Sequence, residues 1–262
     1  MTNRALSLCT ALMALTVCSF VGCQPAAPDS GVDRTVQENE RPSADQVLRE
    51  MSAFLQSQDS FTARAEVTFD DVPIPGVMVQ YSGVAEISVR RPNRLSLDYR
   101  DDISAKQFWY DGDSFTLFDP THNVYASTAA KPTLDATIDH LMERYAMALP
   151  LADFTYSDPY AVLMEGVQFK RHVGLHEVDG ILCHHLIIYH ENINWQIWVD
   201  AGQQPLPRKV VITYKMELMA PQFVAVFSDW DFSTPLPDSS FVPVIPEDAL
   251  EIEFAAIQEI QQ

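Results

Sequence analysis

The chain has 262 residues, 47% apolar and 20% charged, with a formal net charge of −19. That is too much apolar material for a disordered chain, and 36 acidic residues against 17 basic ones exclude a nucleic-acid partner, which needs a basic stripe. Only 9 glycines leave little from which to build phosphate-cradling loops, and the acidity equally disfavours electrostatic adhesion to anionic lipid.

Arg4 is the only charge before an apolar run from Ala5 to Val21, the n-region and h-region of a secretory signal. The run closes on Ser19-Phe20-Val21-Gly22-Cys23. This resembles the lipobox of bacterial lipoproteins, with Phe20 where that pattern usually has Leu. The resemblance implies that residues 1–22 are a signal peptide cut before Cys23, and that Cys23 is a lipid anchor with an alkylated thiol and an acylated amine. The plainer alternatives are an ordinary cleaved signal, or a membrane helix, for which about 17 apolar residues is short. Gln24 stands where enterobacterial lipoproteins retained in the inner membrane have Asp, so the outer membrane is the expected destination. Cleavage discards Cys9 and Cys18, and with Cys23 alkylated, Cys183 has no disulfide partner. Loss of Arg4 takes the charge from −19 to −20.

Residues 23–42 read as the lipidated cysteine and a flexible tether rich in Pro, Asp, Glu, Ser and Asn. The domain proper is expected over 43–262. Ser43 and Gln46 have capping-box spacing, and Val47, Met51, Phe54 and Leu55 share a helical face, so a helix should run to about Gln58. From Phe61 the period becomes two: Ala63, Ala65, Val67 and Phe69 alternate with Arg64, Glu66 and Thr68. Further strands are expected at Val77–Arg90, Arg94–Arg100, Ala105–Tyr110, Ser114–Phe118 and Asn123–Ser127. A second helix, capped by Thr133, places Leu134, Ile138, Leu141, Met142 and Tyr145 on one stripe and ends before Pro150. A short helical turn over Asp158–Gly166 precedes strands at Lys170–Val178, Ile181–His190, Ile193–Asp200, Val210–Leu218 and Phe223–Phe232. Without a βαβ rhythm, this predicts an α+β, β-rich fold. It is a single curved antiparallel sheet of about ten or eleven strands with helices on one face.

No nucleophile elbow, zinc-helix motif or nucleotide-binding glycine loop is present. Asp111-Gly112-Asp113 has calcium-loop composition but lacks the alternating ligands and distal Glu, so a hairpin turn is expected. His176, Cys183, His184 and His185 have metal-ligand chemistry. On one strand, however, Cys183 and His185 face opposite to His184 and His190, and His172 and His176 share a face but stand about 13 Å apart. Pairing through the Asp179-Gly180 hairpin brings His176 near Cys183, so a metal site stays open as an alternative. The favoured reading is a buried Cys183 beside half-exposed histidines. No catalytic residue and no cofactor are assigned.

Several runs are specific: Arg91-Pro92-Asn93-Arg94-Leu95, Phe108-Trp109-Tyr110-Asp111-Gly112, Phe118-Asp119-Pro120, Asn123-Val124-Tyr125-Ala126, Cys183-His184-His185, Trp195-Gln196-Ile197-Trp198-Val199-Asp200 and Pro205-Leu206-Pro207-Arg208-Lys209. From about Ser43 to Phe254 they resemble a family of uncharacterised bacterial predicted periplasmic proteins, itself similar to the lipoprotein-carrier superfamily of LolA, LolB and LppX. Phe241-Val242-Pro243 with Asp248-Ala249 resembles its closing strand. The resemblance implies an incomplete β-barrel whose open side is plugged by helices, with a hydrophobic cavity for acyl chains between them. The cavity candidates are Trp109, Phe115, Leu134, Ile138, Leu141, Met142, Trp195 and Ile197. The expectation is a lipid-anchored, periplasm-facing protein that binds a lipid, a lipoprotein acyl chain or another apolar ligand. The alternative is an envelope structural protein with a protein partner and no ligand.

Overall fold

The computed structural model describes residues 41–256; the signal, Cys23 and the tether up to residue 40 lie outside them. Helix α1 (Ala44–Gln56) starts where the extended Ser43 accepts the Gln46 N–H at 3.1 Å. The capping box is half made, because the Gln46 amide donates to Glu50 (2.9 Å) instead. Val47, Leu48, Met51 and Leu55 are buried along one stripe, and Phe54 at its flank meets Phe232 edge-to-face.

A first meander comprises β1 (Ser60–Ile74), β2 (Val77–Arg90), β3 (Arg94–Asp101), β4 (Ala105–Tyr110), β5 (Ser114–Asp119) and β6 (Val124–Ala129). A second comprises β7 (Phe169–Val178), β8 (Ile181–Tyr189), β9 (Ile193–Asp200), β10 (Pro207–Tyr214) and β11 (Gln222–Asp231). β11 returns to pair with β1, fusing both into one 12-stranded sheet that ends in β12 (Leu250–Glu251), in the order β12-β6-β5-β4-β3-β2-β1-β11-β10-β9-β8-β7. The sheet does not close. It is an incomplete barrel with helices on one face.

Three expectations need correction. β12 lies parallel to β6, so the sheet is not wholly antiparallel. The expected closing strand from Phe241 does not form: Phe241 is buried in a 3₁₀ turn, Asp238–Phe241, and two residues alone reach the edge. Pro243 and Pro246 have no N–H to give to a ladder, which keeps the intervening stretch irregular. β10 stops at Tyr214, short of Leu218, because the chain turns there with Met219 and Ala220 at positive φ.

The turns follow their residues. Asp179 and Gly180 have φ of 48° and 77°, the left-handed pair of a type I′ hairpin. At Gly112 (φ 99°) a Cβ would lie 2.0 Å from an Arg94 Nη atom, so the position requires glycine. Asp111 spends its carboxylate on the N–H groups of Asp113 (3.0 Å) and Ser114 (2.8 Å), which makes the segment a turn.

Helix α2 (Leu134–Tyr145), capped by Thr133, buries Leu134, Thr137, Ile138 and Leu141. A linking segment with a 3₁₀ turn at Ala152–Phe154 leads to α3 (Pro159–Met164). The Arg91 corner fastens this cover to the sheet. Its guanidinium donates to the carbonyls of Thr155 (2.8 Å) and Tyr156 (2.9 Å), while Pro92 O accepts the Leu134 N–H (2.8 Å).

Candidate functional site

After α2 the chain cannot continue as a helix. Ala146 is left-handed (φ 51°), Pro150 follows, and Leu151 is left-handed again (φ 60°). The apolar side chains of this irregular segment still need cover, and they turn toward the inner faces of β9–β11. They do not fill the space. Between Leu149, Leu151 and Phe154 above and Trp195, Val210 and Ile212 below lies a cavity of about 400 Å³, with Val162 and Leu163 of α3 closing one side. That volume is within the range of small-molecule sites.

The rim carries the polar groups Asp153, His190 and Tyr214. Trp195 Nε1–H donates to His190 Nε2 at 2.7 Å, so the neutral ring carries its proton on Nδ1. Lys215 Nζ donates to the His190 carbonyl at 2.6 Å. Burial, then the nearby Lys215 charge, holds the His190 imidazole below its ordinary pKa. Desolvation by the surrounding chain raises the Asp153 carboxyl although the residue keeps exposed surface, and burial followed by Glu217 and Asp153 raises the Tyr214 phenol. Each shift disfavours the charged form, as expected beside an apolar volume.

Of the expected cavity residues, Trp195 lines this space. Phe115, Leu134, Ile138, Leu141 and Ile197 are buried in the hydrophobic core and are not among the residues that line this cavity. Trp109 is on the other face of the sheet: it pairs with Thr116, whereas the adjacent Tyr110–Phe115 pair faces the core. Met142 is 47% exposed. Sequence reasoning missed Leu149, Leu151 and Phe154. Their signal was an apolar run around a proline, in a stretch with neither helical nor strand period.

The histidines form pairs on opposite faces. A β-bulge between His172 and Gly174 inserts one residue, so His172 and His176 do not share a face. His172 Nε2 meets His184 Nδ1 (3.3 Å) on the inner face, and His176 Nδ1 meets His185 Nδ1 (2.9 Å) on the outer one. His185 also contacts Gln196 (2.9 Å) and stacks on Trp198 at 3.9 Å. His176 stands opposite Cys183 in the ladder, and burial pushes that thiol up to about 11. Among the described residues, no group of three or more His, Cys, Asp or Glu side chains is placed to hold a metal ion.

The runs that carried the family resemblance mostly hold corners. Arg91 and Pro92 fasten the cover, and Asp200 joins Arg208 at 2.8 Å across the β9–β10 turn. Together the fold and cavity define an open half-barrel with a helical cover and an apolar space beneath it. The chain belongs to the family of predicted periplasmic proteins DUF2092, whose model matches residues 44–255.

Among solved structures, it is similar to an uncharacterized conserved protein from Thermus thermophilus (8% identity, TM-score 0.48, covering 84% of this chain and 99% of that one). It is also similar to a LolA superfamily protein from Nitrosomonas europaea (10%, 0.39, 78% and 99%). A third likeness is to the lipoprotein LppX of Mycobacterium tuberculosis (13%, 0.43, 74% and 97%). No curated protein matches the chain.

Proposed function

We propose that this is a lipid-anchored protein of the bacterial envelope, held at Cys23 and facing the periplasm. It binds one acyl chain or another elongated apolar ligand under its helical cover and is not an enzyme. The observation that carries this reading is the apolar cavity of about 400 Å³ with its polar rim at Asp153, His190 and Tyr214. Apolar walls supply affinity and the few rim groups orient the ligand's polar end. The volume suits a single chain better than the several chains of a complete lipoprotein anchor. The Cys23 lipobox supports attachment, most simply to the outer membrane, as a fixed acceptor or store rather than a shuttle.

The test is native mass spectrometry of the purified protein and titration with a fluorescent fatty-acyl probe. Bound lipid, or probe binding that Ile193→Trp reduces at least tenfold while the fold stays intact, is the expected result. Protein that carries no lipid and binds no apolar probe would sink the reading.

A further inference from the structure

The antiparallel order of the sheet brings a particular set of turns to one end. These are the β1–β2, β3–β4, β5–β6, β8–β9 and β10–β11 connections, as their registers require. Three of them carry large apolar side chains into solvent: Ile74 on the first, Ile103 on the second, and Met216 and Leu218 on the last are each more than half exposed. The β1–β2 hairpin reaches furthest. Its β11 neighbour pairs no further than Phe69, so the tip overhangs by roughly 15 Å. Behind the tips come amphipathic groups: Phe69 packs on Tyr81 (5.5 Å between centroids), and Lys215 lies over the Tyr189 ring (3.6 Å). Apolar tips backed by aromatic rings and a long lysine suit a boundary between hydrocarbon and water.

Two further features lie at this end. The cavity residues His190, Ile193, Tyr214 and Phe223 stand at strand termini here, so the cavity lies toward this end. The chain also enters the domain here. α1 hands over to β1 at the far end, whereas its first turn is tied to the near end, where Asp45 accepts from Lys170 Nζ at the start of β7 (2.6 Å) and from Tyr160 Oη (2.6 Å).

We infer that these hairpin tips dock into the surface of a lipid bilayer, with the cavity end of the sheet toward it. The tips are separate turns rather than a groove shaped for a peptide. Three of the acids among them accept backbone N–H groups, Asp70 that of Gln222 (3.0 Å), Asp101 that of Ile103 (2.9 Å) and Asp102 that of Ser82 (2.7 Å), while Glu191 and Glu217 are exposed on the turns. Their charge still repels anionic headgroups, so docking is apolar and favours a zwitterionic surface. This inference goes beyond ligand binding, and the tips would dock whether or not the cavity is filled.

The test uses the mature chain carrying Cys23→Ala, so that no acyl anchor contributes, in flotation with phosphatidylcholine–phosphatidylethanolamine vesicles. Binding that resists 0.5 M NaCl is expected (about five times the salt at which the screening length is 10 Å), and it should weaken when phosphatidylglycerol is added. Met216→Asp with Leu218→Asp, and separately Ile74→Asp, should reduce binding at least tenfold with no change in melting temperature. Leu182→Asp, exposed at the opposite end of β8, should leave binding intact. No flotation, flotation only with anionic vesicles, or equal flotation of the tip variants would overturn the inference. So would tip variants that float normally but lose a crosslinked envelope protein. Absence of acylation at Cys23 in cells would remove the proposed anchor and leave this result standing.

Discussion

His190 joins the cavity to the pH of its surroundings. Its Nε2 accepts from Trp195 and its carbonyl holds Lys215, so protonating the ring costs a hydrogen bond at the cavity wall and adds a cation beside another. With its folded pKa below the usual imidazole value of 6.5, the unfolded chain takes up the proton first. Stability is therefore complete above about 6.5 and declines as pH falls toward the folded pKa. Burial pushes His184 and His185 the same way. The melting temperature should accordingly drop between pH 7.5 and 5.5. His190→Gln can keep an acceptor for Trp195 but cannot titrate, so it should make that drop shallower. A variant with the parent's pH slope would show that His190 is not a source of it.

At the scale of elements, nearly every strand was legible because alternation, hairpin turns and caps are local signals. Asp179-Gly180 and Thr133 show this, and each acts where its chemistry requires. What escaped depended on distant partners. The bulge after His172 reverses which residues share a face, and nothing in the β7 residues alone announces it. The cavity escaped for a similar reason. Strand period tells which residues face inward, but only the path of the chain after α2 decides which of them line a gap, as Trp195 does, and which, like Ile197, do not.

Helix α2 allows a direct measurement of that limit. Ile138 and Met142 are both on the stripe read from sequence, yet Ile138 is buried and Met142 is not. Ile138→Ala should destabilise the protein by about 2–4 kcal/mol and Met142→Ala by about 0.5 kcal/mol or less in denaturant unfolding. Equal losses would mean that Met142 is covered in solution.

The charge of the whole molecule acts on both stability and placement. A net −19 opposes compaction by self-repulsion. Few of the ion pairs offset it, since pairs such as Arg100 with Asp98 and Arg64 with Glu86 lie at the surface, where each contributes about 0–1 kcal/mol. The fold must therefore rest on its core, in which Cys183 is a buried free thiol among the described residues. Raising NaCl from 10 to 150 mM shortens the screening length from about 30 to about 8 Å. It should weaken repulsion between distant carboxylates more than attraction within close pairs, so the melting temperature should rise by several degrees. The same screening would let an acidic domain approach an anionic leaflet without supplying any attraction of its own. Salt should thus stabilise the fold and leave apolar docking at the Ile74 and Met216 tips in place. A melting temperature that falls with salt would mean that attractive pairs outweigh the −19, and that the acidity is not what keeps the domain from anionic lipid.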